Sequence, residues 1–196
     1  MYKKQLTAQK FICLLAIIAS AAVFIYSLGI MTDLYDCLYT TMRNSRDLTK
    51  TDVPGSIVYY NMQNFNADFV RAGMGMILLA LLLFITNTNI RRRYYIGNYF
   101  AVGAYTVGAL AVSGWAHTQI EMYKAQWLQV DFAALKEHAE TWNTGYTEST
   151  IYFDLHYPLF ALMLLAAVLL IANCIWKRKL MKEEHDLLMQ GKGAAV

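Results

Sequence analysis

Four runs of apolar residues, each about as long as a bilayer core is thick, leave this chain few ways to fold. They are Phe11 to Met31, Phe69 to Thr86, Tyr94 to Trp115 and Leu155 to Trp176. A hydrocarbon core about 30 Å thick takes roughly 20 residues of helix to cross. Within it no water is on hand for backbone N–H and C=O groups, so each run must close its own hydrogen bonds as an α-helix. Composition agrees, since 57% of the residues are hydrophobic against about 45–50% in an ordinary soluble domain. The expected fold class is an all-α integral membrane protein with four transmembrane helices in a single domain covering residues 1–196. Two long extracytoplasmic loops, 32–68 and 116–154, would connect them, the second partly helical.

The first run also has features of a secretory signal, because Lys3 and Lys4 precede it and Ser27, Leu28 and Gly29 resemble a cleavage site. Its apolar stretch is longer than the core of such signals, so it is expected to remain as a span. Basic residues flanking spans are retained in the cytoplasm. Lys3, Lys4 and Lys10 lie before span one, Arg91, Arg92 and Arg93 between spans two and three, and Lys177, Arg178, Lys179, Lys182 and Lys192 after span four. With three acids among them, that side carries a formal +8, and the opposite side carries −5. Both termini are therefore expected in the cytoplasm of a multi-pass cell-membrane protein. No Asn-x-Ser/Thr acceptor occurs, in keeping with a bacterial origin. The overall charge of +3 gives no reason to expect nucleic acid as a partner.

The short link Asn87 to Arg93 makes spans two and three antiparallel neighbours. In the first outer loop, Pro54-Gly55 signals a turn, and Ser56 to Tyr60 is a β-prone run expected to be a hairpin or extended rim. In the second, Ile120, Tyr123, Trp127 and Val130 recur at helical spacing, so His117 to Gln129 should continue span three. Asp131 should cap a further helix whose Phe132, Leu135, Ala139 and Trp142 share a face, ended by Asn143 to Gly145. Asp154 should cap span four, with Pro158 in its first turn.

Pumps and proton relays carry ionisable side chains at membrane depth, and these spans hold almost none. Arg71, one turn inside span two, is expected to pair with Asp68 or reach outward. Asn98, Thr106 and Asn173 are suited to joining helices by hydrogen bonds. Cys13 and Cys174 fall in apolar runs and Cys37 in the first outer loop, so no intrachain disulfide is expected. There is no phosphate-binding Gly loop, G-x-S-x-G, H-E-x-x-H or C-x-x-C. No catalytic residue, cofactor-binding residue, metal ligand or cofactor is expected, and the chain is read as a non-enzyme.

Two clusters run against that expectation. His117 and His156 flank the outer ends of spans three and four and can approach one another, the arrangement a haem- or quinone-binding bundle uses. Boundary histidines are more often plain interfacial residues. Glu121 lies one turn from His117, and Glu137, His138 and Glu140 follow, which makes a divalent-metal surface conceivable, although the spacing matches no ligand motif. Tyr94, Tyr95, Tyr99, Trp115 and Trp176 read as interfacial anchors.

The positive feature is a line of small residues on span three: Gly97, Ala101, Ala104, Gly108 and Ala111. Their spacing puts them on one helix face, where small side chains admit another helix closely. That helix belongs either to the bundle itself or to a partner.

Three stretches, GIMTDLYD (29–36), VPGSIVYY (53–60) and YTESTIYFDLH (146–156), resemble four-span membrane proteins of Gram-positive bacteria that accompany carbohydrate ABC importers. That family supplies no catalytic residues to carry over. The resemblance implies a non-catalytic accessory subunit of a multi-component solute importer, with the lipid bilayer and permease subunits or other membrane proteins as partners. ATP hydrolysis would then belong to other subunits. The alternatives are a redox or cofactor-binding subunit using His117 and His156, and a stand-alone envelope sensor or assembly protein.

Overall fold

The computed structural model describes residues 2–38, 53–88, 96–141 and 146–193. Among the described residues the chain is entirely helical: α1 (Tyr2–Leu38), α2 (Ser56–Asn87), α3 (Ile96–Trp127), α4 (Phe132–Thr141), α5 (Ile151–Asp154) and α6 (His156–Gly193). Four stretches are long and apolar enough to cross a membrane: Lys3–Ile30, Ser56–Asn87, Gly97–Trp127 and Ile151–Met189. The chain is thus compatible with a multi-pass membrane protein.

Side-chain size is distributed as lipid requires. Large apolar residues such as Phe11, Ile25, Ile85, Phe100 and Ile175 are exposed, while Ala16, Ala19, Ala80, Ala109, Ala116 and Ala166 are fully buried. Hydrocarbon removes the hydrophobic incentive to hide a leucine, and small residues that allow close backbone approach share the contacts between helices with large side chains such as Tyr105, Phe69 and Leu83.

Contacts divide the chain into two units, each drawing on all four long helices. The first comprises residues 1–20, 76–110 and 161–196. In it α2 and α3 are antiparallel neighbours. Asn87 Nδ2 donates to the carbonyl of Asn98 at 3.2 Å, and further along Gly108 packs against Met76 and Leu79. A buried amide network ties the other helices in. Gln5 Nε2 donates to Gln9 Oε1 at 2.7 Å and to Asn173 Oδ1 at 3.2 Å, and Gln9 Nε2 donates to Asn87 Oδ1 at 2.9 Å. Asn173 thus joins helices through its side chain, as its position suggested, while Asn98 does so here through its backbone carbonyl. Thr106 Oγ1 has no hydrogen-bond partner among the described residues. Tyr105 O–H donates to the Ala16 carbonyl at 3.3 Å and lies 3.2 Å from Ser20 Oγ.

The second unit comprises residues 21–75 and 111–160. Its core is aromatic: Phe65 stacks on Phe69 at 5.4 Å between ring centres, and Trp115, Phe160 and Tyr26 pack edge-on or tilted around them. Gly73 admits α1 closely, since a Cβ there would lie 3.1 Å from Phe24 Cα. Asp131 caps α4 by accepting from Ala134 N at 3.0 Å, as expected, and α4 docks through buried Leu135 and Ala139. Phe132 packs edge-on to the buried Trp127. The continuation of α3 carries Ile120, Tyr123 and Trp127 on its buried side, also as expected. Arg71 pairs with Asp68 at 2.7 Å, both exposed.

Two local expectations are corrected. Ser56 to Tyr60 is neither hairpin nor rim but the opening of α2. Gly55, at φ +88°, turns the chain, Ser56 N and Val58 N bond back to Val53 and Gly55 carbonyls at 3.0 Å, and Val58 and Tyr59 are buried. Packing of these side chains overrides their β preference. Asp154 does not cap α6. It ends the short α5, accepts from Thr150 Oγ1 at 2.7 Å and pairs with Lys124, because the helical path begins three residues earlier, at Ile151. Pro158 does fall in the first turn of α6. Trp142, the Asn143 to Gly145 stop and the Arg91 to Arg93 turn lie outside the described residues, as does the side chain of Cys37. Cys13 and Cys174 are free thiols.

Candidate functional site

In the second unit the start of α6 meets the continuation of α3, and the two boundary histidines touch. His156 is fully buried, with its ring against Tyr157 and Phe160. Its Nδ1 lies 2.7 Å from the carbonyl of Phe153. A carbonyl can only accept, so Nδ1 carries the proton and Nε2 is left with a lone pair. That lone pair faces His117 Nδ1 at 2.8 Å. His117, itself exposed, therefore donates through Nδ1.

Glu121 stands one turn along α3 from His117, on the same face. Its Oε1 is 3.9 Å from His156 Nε2 and accepts the Tyr157 hydroxyl at 2.8 Å. Side-chain exposure is 1% at His156 and 36% at Glu121, so the group sits at an edge with a buried floor and an open side. The Lys124–Asp154 pair lies beside it on the same two segments.

His117, Glu121 and His156 each offer a ligand atom, all within 4.8 Å of one another. Two imidazoles and a carboxylate suit a divalent transition ion. They do not suit haem in this arrangement, because two axial rings must stand on opposite sides of a porphyrin, and here the rings are in direct contact. The structure does not bring in Glu137, His138 or Glu140. Glu137 and Glu140 are exposed on α4, where Lys136 and Glu140 stand 4.0 Å apart.

The small residues of α3 divide by environment. Ala101 is buried and Gly97, Ala104 and Gly108 are half-buried, all in the first unit, while Ala111 in the second is exposed. A Cβ at Gly108 would meet Met76 Sδ at 3.0 Å and Leu79 Cδ1 at 3.2 Å. On the neighbouring face Gly103 would meet nothing within 4 Å, and Phe100, Val107 and Leu110 around it are 76%, 66% and 59% exposed. Helical periodicity identified the line of small residues, but not this open glycine among large apolar neighbours. The signal that could have found it is the alternation of a small residue with exposed bulky ones on one face.

Comparison with protein-family models, curated proteins and solved structures finds no match.

Proposed function

We propose that this chain is a non-catalytic accessory membrane subunit of a multi-component solute importer, lodged in a bacterial cell membrane with both termini in the cytoplasm. The observation that carries the reading is the open face of α3. Lipid chains solvate a leucine as readily as a glycine, so a gap at Gly103 between exposed Phe100, Val107 and Leu110 gains nothing from lipid. It suits the close approach of a partner helix. The resemblance of residues 29–36, 53–60 and 146–156 to companions of carbohydrate ABC importers makes permease subunits the partner of choice. Charge supports the orientation, through the formal +8 and −5 of the two sides.

The test is purification from native membranes in mild detergent, followed by identification of bound polypeptides. Permease subunits should accompany the chain in stoichiometric amounts, and Gly103→Leu should release them while leaving abundance and folding unchanged. A chain that emerges alone and monodisperse contradicts the reading.

A further inference from the structure

We propose that His117, Glu121 and His156 bind one divalent transition-metal ion of the zinc type, clamping α3 to the start of α6. The inference stands independently of the importer reading.

Donor chemistry excludes the hard cations first. Calcium and magnesium take oxygen ligands, whereas two imidazoles with one carboxylate suit the later first-row ions. Zinc has no geometric preference of its own and accepts three protein ligands with a fourth position left to water. Copper and nickel share these donors but favour tetragonal surroundings, which leaves zinc as the ion proposed.

Pre-orientation is the stronger argument. A histidine that ligates through one nitrogen characteristically donates from the other to a carbonyl or carboxylate, which fixes the tautomer and aims the lone pair. His156 already has this arrangement: Nδ1 donates to the Phe153 carbonyl and Nε2 points at the other two groups. Tyr157 does the corresponding work for Glu121, holding Oε1 by its hydroxyl. His117 must move its proton from Nδ1 to Nε2, a change of tautomer that releases no proton.

The adjustment needed is small. Zinc–nitrogen bonds of about 2.0–2.1 Å at a tetrahedral angle put two ligand atoms about 3.3 Å apart. The histidine nitrogens stand at 2.8 Å and Glu121 Oε1 at 3.9 Å from His156 Nε2, so these two spacings change by roughly half an ångström, and the third, between His117 and Glu121, is within 4.8 Å. Rotation of the exposed His117 and half-exposed Glu121 supplies this without moving the buried ring.

The experiment uses the full chain in detergent, stripped of metal by chelation and titrated with Zn2+, with Co2+ as an absorbing substitute. One equivalent should bind, Co2+ should develop the intense visible bands of tetrahedral coordination, and Zn2+ should raise the unfolding temperature. Glu121→Gln keeps an amide oxygen to accept the Tyr157 hydroxyl and should leave the metal-free protein as stable as before, whereas His117→Ala strands the buried His156 Nε2 and should lower its unfolding temperature, so Zn2+ binding in that variant is read below its own unfolding transition. Each should weaken Zn2+ binding at least tenfold, the lower end of what loss of even an outlying partner costs. His138→Ala should change nothing. The proposal is overturned if no stoichiometric Zn2+ binding occurs, or if binding is unchanged in both His117→Ala and Glu121→Gln.

Discussion

Gly103 and Gly108 lie on the same helix about one and a half turns apart, and their surroundings differ. At Gly108 a Cβ alone would stand 3.0 Å from Met76 Sδ and 3.2 Å from Leu79 Cδ1, both nearer than ordinary van der Waals contact. Gly108→Leu adds three more carbons in the same direction. Forcing extra methylenes into a packed contact costs about 1–3 kcal/mol, and replacing glycine within a helix returns about 0.5–1 kcal/mol. The flexible thioether of Met76 absorbs part of the overlap, so the net loss should be about 1 kcal/mol. At Gly103 only the helix gain applies, because nothing lies within 4 Å. A net loss of about 1 kcal/mol lowers the melting temperature of a chain of this size by about 2–4 °C. Thermal unfolding of the isolated protein in detergent, followed by tryptophan fluorescence, should show that drop for Gly108→Leu and none for Gly103→Leu. Equal losses in both variants, or a loss at Gly103 alone, would mean that α3 is rotated about its axis relative to this description.

Trp127 is fully buried against Phe132 and Tyr152, so Trp127→Ala should cost about 3–5 kcal/mol and speed amide exchange in α4 while the centres of the long helices stay protected. Trp127→Phe should cost much less, because the indole N–H it removes has no hydrogen-bond partner among the described residues; equal exchange in both would show that α4 does not dock on Trp127. Single cysteines at Asn44 and Thr144, in a background without native cysteines, should react with impermeant maleimide in intact cells, and one at Asn89 should not. Labelling at position 89 would reverse the orientation expected from charge.

Much of the helical frame was legible because hydrocarbon forces it. A run of about 20 apolar residues has no alternative to helix, and each of the four expected spans lies within a helical stretch, apart from Tyr94 and Tyr95, which fall outside the described residues. Helix ends were less legible, since beyond the apolar run the choice passes to tertiary packing. Val58 and Tyr59 look like strand formers, yet in α2 they become core residues. Asp131 and Asp154 carry the same capping signal, and only the first is a cap. Lys124 and Thr150 claim the second, a pairing between segments that local spacing cannot reveal. The histidine cluster was half legible: His117 and Glu121 share a face by the 3.6-residue period, and both histidines sit at span boundaries. The Phe153 carbonyl that orients His156 and the Tyr157 hydroxyl that holds Glu121 depend on how α5 meets α6. On α3 the period gave a face but not its neighbour, which is why Gly108 was singled out and the open Gly103 was not.

The most direct test of the central claim is photo-crosslinking in native membranes from a benzoylphenylalanine placed at position 103, with position 85 on the exposed face of α2 as the control. A partner helix against Gly103 predicts a discrete adduct with another membrane polypeptide, identifiable by mass and absent from the control. Adducts with lipid alone from position 103, or the same polypeptide captured equally from position 85, would contradict a partner helix on this face of α3.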